Sequence, residues 1–248
     1  MIVLTFIIVH WYMSLFSQTF FLHRYAAHKM FEMSMFWEKA FFVFTFITQG
    51  SSYLSPYAYG VMHRMHHAYA DTKKDPHSPK YDKTLFSMMW RTKGIYTNIF
   101  DQKNELENQF TRDVPQWKSF DKYAHHYVSR LIWVASYITF YIYFAHAWWV
   151  FLFLPIHFVM GPLHGAIINW FAHKYGYRNF SVKDTSMNLL PFDFLMLGEG
   201  YHNNHHKNGT RVNFGIKWYE LDLAYPIIRF LDLIKIIRIK RNFQSKFK

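Results

Sequence analysis

Charged residues divide the chain into blocks. No Lys, Arg, Asp or Glu occurs over residues 1–23, 40–63 or 131–173. A bilayer core takes a helix of about 20 mostly apolar residues. The first run therefore reads as one membrane helix. The third is long enough for two, with a turn at the AHAWW stretch, Ala145–Trp149, whose Trp pair suits an aromatic belt. The middle run is interrupted by Gly50-Ser51-Ser52 and Ser55-Pro56, residues that stop a helix, so it reads as a re-entrant or in-plane hairpin. The tail has Leu221, Ile227, Ile228, Leu231 and Ile234 at helical spacing, then Lys235, Arg238, Lys240 and Arg241. That pattern predicts an amphipathic helix lying on an anionic membrane face. The expected fold is an all-α integral membrane protein of one domain, 1–248. About three transmembrane helices and a re-entrant segment carry a cytoplasmic helical cap, 64–130 and 174–248.

Composition sharpens this picture. The 248 residues include 27 Phe, 18 Tyr and 9 Trp, which excludes disorder. Lys and Arg outnumber Asp and Glu by 28 to 16, giving a net charge of +12. Every basic residue lies outside the three charge-free runs, so the charge marks the cytoplasmic side and calls for no nucleic acid. With no basic start and no small-residue cleavage pattern, 1–23 reads as a retained helix with its N-terminus outside. There is no Cys, which excludes a disulfide framework, an iron–sulfur cluster and a Cys nucleophile.

Sixteen residues are His, and nine fall into a pattern. His23 and His28 frame HRYAAH at the end of the first run. His63, His66 and His67 form HRMHH at the end of the second. His173 ends the third, four residues after Asn169, and His202, His205 and His206 form HNNHH. Residues three and four apart share a helix face, so each HxxHH presents its imidazoles to one side. The pair five apart sits about 140° around an ideal helix. It converges on one site only if the helix bends, or else it serves two metals. Nine imidazoles exceed one ion's needs, and two ions with four or five nitrogens each account for them. Imidazole suits iron, copper, zinc and nickel alike. His10, His77, His125, His126, His146, His157 and His164 show no such pattern and read as ordinary residues.

HRYAAH, HRMHH and HNNHH, in that order beside apolar runs, resemble the three histidine boxes of integral-membrane fatty acid desaturases. NWFAHKYGYR from Asn169, DTSMN at Asp184–Asn188 and GEGYHNNHH at Gly198–His206 are similar to the acyl-CoA (stearoyl-CoA type) branch. The resemblance covers about residues 10–240. It implies two non-haem irons held by the nine histidines, with Asn169 acting through a water, and dioxygen as co-substrate. Two positions depart from the family: Tyr59 stands where Trp precedes the second box, and Gly165-Ala166 stand where Thr-Trp precedes the Asn. Gln49 resembles the family's Gln near the substrate bend. Gln49 and Tyr59 are accordingly the substrate candidates, and chain length and double-bond position stay open.

The implied reaction removes two hydrogens from a saturated acyl chain to give a cis alkene, on acyl-CoA and Δ9-like. A membrane di-iron fatty acid or alkane hydroxylase is the alternative, and a zinc membrane protein the third reading. The uncharged aromatic runs can line an apolar tunnel, and Lys73, Lys74, Arg91 and Lys93 are candidates for an anionic head group. Glu199, with Asp71, Asp75 and Asp184, is a candidate to orient metal-bound imidazoles. Gly198 and Gly200 are expected to allow a close backbone approach. With no flavin or nicotinamide fingerprint and no Cys, electrons must come from a separate donor, ferredoxin or cytochrome b5-like, steered by the basic face. The expected location is the cytoplasmic membrane, multi-pass, with the site facing the cytoplasm, or the endoplasmic reticulum in a eukaryote.

Overall fold

The computed structural model describes residues 1–103 and 105–240. It is mostly helical, as the charge-free runs require. Helix α1 (Ile2–Phe16) continues without a break into a π-helical segment, Ser17–Ala27, so that one 26-residue rod runs from Ile2 to Ala27. Among the described residues this is the one single helix long and apolar enough to cross a membrane.

The middle run breaks where its sequence predicts. Helix α2 (Met35–Gln49) starts on Ser34, whose Oγ accepts from the Trp37 N–H, and ends at Gly50. Gly50 has φ of +52°, and a Cβ there would sit 1.7 Å from the Tyr137 hydroxyl. Only glycine meets both demands. A single 3₁₀ turn, Gly50–Ser52, leads to Ser55, which caps helix α3 (Pro56–Tyr69) with proline in its first turn. The backbone freed by the break is buried and must find partners. Arg130 donates to the carbonyls of Ser51 and Tyr53, Gln49 Oε1 accepts from the Leu54 N–H at 2.9 Å, and the Tyr96 hydroxyl accepts from Ser55 N–H at 2.7 Å.

Polar chain follows. Helix α4 (Leu85–Phe100) opens on a reciprocal Thr84/Ser87 cap, then come a single turn, α5 (Asn108–Thr111), and α6 (Lys118–His125). The third run starts within α7 (Tyr127–Phe144) and turns at 145–147, where the turn was expected. Its return arm is not one straight helix. A 3₁₀ stretch, Trp148–Phe153, runs into α8 (Leu154–Phe158), and the chain bends by 76° before α9 (Met160–Ala166) and a second π-helical turn, Ile167–Phe171. Helix α10 (His202–Lys207) carries the last His box, and α11 (Ala224–Leu233) the apolar part of the tail.

Two expectations change here. The fold is not purely helical: β1 (Phe31–Met33) pairs antiparallel with β2 (Ile237–Ile239), with Phe31 opposite Ile239. The predicted tail helix ends four residues before that strand. Lys235 adopts φ of +60°, and Asp232 Oδ1 accepts from Ile239 N–H at 2.9 Å. Ile237 and Ile239 are buried and Arg238 is exposed, a period of two that the longer helical pattern had absorbed. Arg241 lies outside the described residues. The main core gathers Phe20, Phe21, Leu22, Phe31 and Phe42 with Tyr201, Phe214, Ile228, Ile237 and Ile239, so the tail packs directly behind the first His box.

Candidate metal centre

The π-helical segment answers the question raised by HRYAAH. Bonding from residue i to i+5, as from His28 N–H to the His23 carbonyl at 3.1 Å, widens the turn and brings residues five apart nearer to one another round the helix. His23 and His28 therefore share one face, with ring centroids 5.0 Å apart. The ordinary α-helical turns of α3 and α10 present HRMHH and HNNHH opposite them. Asn188 Oδ1 fixes the start of α10 by accepting from the N–H groups of Asn203 and Asn204 at 3.0 and 3.2 Å. Gly198 and Gly200 let the chain close on carboxylates: their Cβ positions would lie 2.4 Å from Asp222 Oδ1 and 2.8 Å from Asp193. Asp193 accepts from the N–H of Met196, Gly198 and Gly200, while burial raises its carboxyl to about 6.

All nine patterned histidines come together, in two clusters. The first is His23, His28, His63, His67 and His205, and the second is His66, His173, His202 and His206. Within each, one nitrogen per ring lies within 4.8 Å of every other. Closest approaches are between Nε2 atoms: His23 to His205 at 3.0 Å, His28 to His63 at 2.9 Å, and His67 to His63 and His205 at 3.0 and 2.9 Å. In the second cluster His66 meets His206 at 3.2 Å and His173 meets His202 at 3.0 Å. Burial, reinforced by neighbouring rings, drives His202 and His205 well below 6.5, so both are neutral with a lone pair to offer. Imidazoles converging in two groups through the same ring atom form metal-binding donor sets.

The opposite ring nitrogens are held from behind. Asp75 Oδ1 lies 2.9 Å from His66 Nδ1, Asp184 Oδ2 3.0 Å from His206 Nδ1, and Thr185 Oγ1 3.1 Å from His173 Nδ1. Glu199 Oε2 lies 2.7 Å from His23 Nδ1, off the line of a hydrogen bond. Arg24, fully buried, joins Glu199 (3.1 Å) to Asp222 (2.8 Å) and stacks on Phe214. Burial pulls the Glu199 carboxyl up, but His23 and Arg24 outweigh it and the carboxyl falls below its ordinary value. Asp75 and Asp184 are lowered in the same way by His66 and His206. Such carboxylate–imidazole pairs set the tautomer that leaves Nε2 bare. Glu199, Asp75 and Asp184 thus each lie against the Nδ1 side of a clustered imidazole. Asp71 is 4.0 Å from His173 and instead binds Ser78 Oγ and the Thr185 N–H.

A cavity of about 700 Å³ runs from the clusters to the surface beside α4. His23, His63, His202 and Asn169 line its inner end, and Phe86 and Trp90, both well exposed, line the outer. Tyr59 is in the wall, its ring parallel to His63 at 5.9 Å. Gly165 is there too, while Gln49 is not among the lining residues and serves the helix break. Of the proposed head-group cations, Lys93 lines the cavity; Arg91 is tied to Asp82 and the Asp75 carbonyl, and Lys74 lies over Tyr69. Sequence reasoning missed Arg130, His125 and His77, all in the wall. Arg130 and His125 each look like the edge of a polar segment, and His77 stands alone in its motif.

A family model described as fatty acid desaturase matches residues 1–231. The chain belongs to the fatty acid desaturase family. Relatives of this desaturase include the Delta-9 desaturase-like 4 protein of Arabidopsis thaliana, 26% identical over 230 residues, covering 89% of this chain and 70% of the relative. The Delta-9 acyl-lipid desaturase 1 of Arabidopsis thaliana is 27% identical over 86% of this chain and 66% of its own length. The sn-1 stearoyl-lipid 9-desaturase of Synechocystis sp. is 28% identical over 87% and 64%. The chain thus spans about two thirds of the length of these curated relatives. The desaturase family is one of oxidoreductases of lipid metabolism, and a metal cofactor fits both the family and the histidine clusters.

Proposed function

We propose that this chain is a dioxygen-dependent fatty acyl desaturase that forms a cis double bond in a saturated chain. The observation that carries it is a pair of buried imidazole clusters opening on a largely apolar cavity. In this reading His23, His28, His63, His67 and His205 hold one iron. His66, His173, His202 and His206 hold the second, with Asn169 acting through a water. When bound, the irons supply the reduction of dioxygen that draws two hydrogens from adjacent carbons. The chain's own residues do the rest. Leu15, Leu54, Met62 and Ile168 keep water from the acyl chain, and Tyr59 and Gly165 shape the wall where it passes the clusters. Glu199, Asp75 and Asp184 keep the imidazoles aimed.

The names of the relatives support an acyl chain carried on a membrane lipid and a bond at the ninth carbon. Acyl-CoA, the carrier implied by the sequence motifs, is the competing choice. Lys93 at the outer wall is the cation for an anionic head group in either case. The rod Ile2–Ala27 and the bent arm Trp148–Phe171 are read as two crossings of one membrane domain, and α7, less apolar but uncharged from Leu131 onward, as the third. The 40–63 hairpin re-enters, and the cap faces the cytoplasm. An acidic ferredoxin or cytochrome b5-like donor delivers electrons there. Expression in a desaturase-deficient host, with mass spectrometry of double-bond position under ¹⁸O₂, tests this. Unlabelled cis-monoene in the lipids supports it; label retained in the lipid points to hydroxylation and overturns it. Reconstitution with acyl lipid against acyl-CoA decides the carrier.

A further inference from the structure

His77 follows α3 in the Asp75-Pro76-His77 turn and is 2% exposed. Its ring packs against His66, centroids 4.3 Å apart, and forms part of the cavity wall with His202 and Asn169. Among the described residues neither of its ring nitrogens has a hydrogen-bond partner. A buried imidazole normally satisfies both. Its backbone N–H donates to Asp75 Oδ1 at 3.0 Å, and the ring is buried. His66, Asp75 and His77 each offer an atom within 4.8 Å of the others, but Asp75 is already shared among His66 Nδ1 and the N–H groups of Asp71 and His77. This trio is thus short of a free ligand set, and both His77 nitrogens are left without a partner in a residue that lines the cavity.

We propose that His77 supplies a hydrogen bond that seats a water- or dioxygen-sized ligand in the cavity beside the second histidine cluster. A neutral imidazole offers one N–H and one lone pair, which is what a single small polar molecule at an otherwise apolar wall needs. The role rests on the di-iron reading above, because the seated ligand is one that a metal at His66, His173, His202 and His206 would share. His77 is a positioning residue for that ligand, outside both ligand sets.

The probe is azide, a small anion of dioxygen size, titrated by absorbance into the full-length, iron-loaded, oxidised protein. His77→Phe and His77→Leu remove the donor with and without the aromatic volume; His77→Gln restores an N–H. The expected result is two irons per chain in every variant, with azide bound about five- to tenfold more weakly by both apolar variants and near wild-type by H77Q. More reductant should then be consumed per alkene in H77F, the excess electrons reducing dioxygen with two protons to hydrogen peroxide. Unchanged azide affinity in the apolar variant that folds would overturn the proposal, and so would loss of one iron, which would make His77 a ligand. A wild-type protein that forms no alkene, with azide still weakened in H77F, sinks the desaturase reading and leaves this one standing.

Discussion

At the scale of single residues, the centre depends on carboxylates that touch no metal position. Glu199 is gripped by Thr19, Arg24 and His23, so Glu199→Gln keeps the shape but removes the charge that fixes His23. We expect iron affinity and activity to fall about 10- to 100-fold, with membrane expression little changed; iron stoichiometry against expression level checks this, and equal loss of both would contradict it. Asp121 behaves differently. It accepts from Tyr53 at 2.7 Å and Ser55 at 3.0 Å, yet burial raises it to about 6 from 3.8. A folded-state pKa above the unfolded one means that the folded protein binds the extra proton between pH 4 and 6, so stability falls as pH rises through that window. Thermal melts in detergent should show this slope, and Asp121→Asn should flatten it.

At the scale of elements, backbone winding decides which spacing makes a site. HxxHH was legible because α-helical periodicity brings i, i+3 and i+4 together. HxxxxH was ambiguous because periodicity analysis assumes that same winding, and the π-helical segment violates it. The variant Ala27→His/His28→Ala moves the second imidazole to i+4. On the observed wide turn it moves to the other side of His23, away from the His28 position that faces His63 and His67, and we expect the first cluster to lose its metal while the second keeps it. Metal counting on the purified variant decides this. The turn at 145–147 and the break at Gly50 were legible from residue type alone. The β1–β2 pair was not, because three-residue strands leave too short an alternation to stand against the helical spacing around Ile234. His77 escaped for a related reason: a lone His carries no periodicity, and its place in the cavity is set by the fold of α3 against α4.

At the scale of the molecule, the net charge of +12 is confined to segments outside the charge-free runs. If that surface steers an acidic donor, the rate constant for reduction by the donor should fall steeply between low and physiological salt. Stopped-flow reduction at several ionic strengths measures it, and a flat profile would remove steering. The clusters also link distant parts of the chain. His23 and His205 meet across 182 positions, and His66 and His206 across 140. Both clusters draw on the box at 202–206. A ribosome adding 5–20 residues each second releases that box about 10–40 s after His23. Neither donor set exists until the 202–206 box has been made. Metallation therefore has to wait until every apolar segment before that box has left the ribosome.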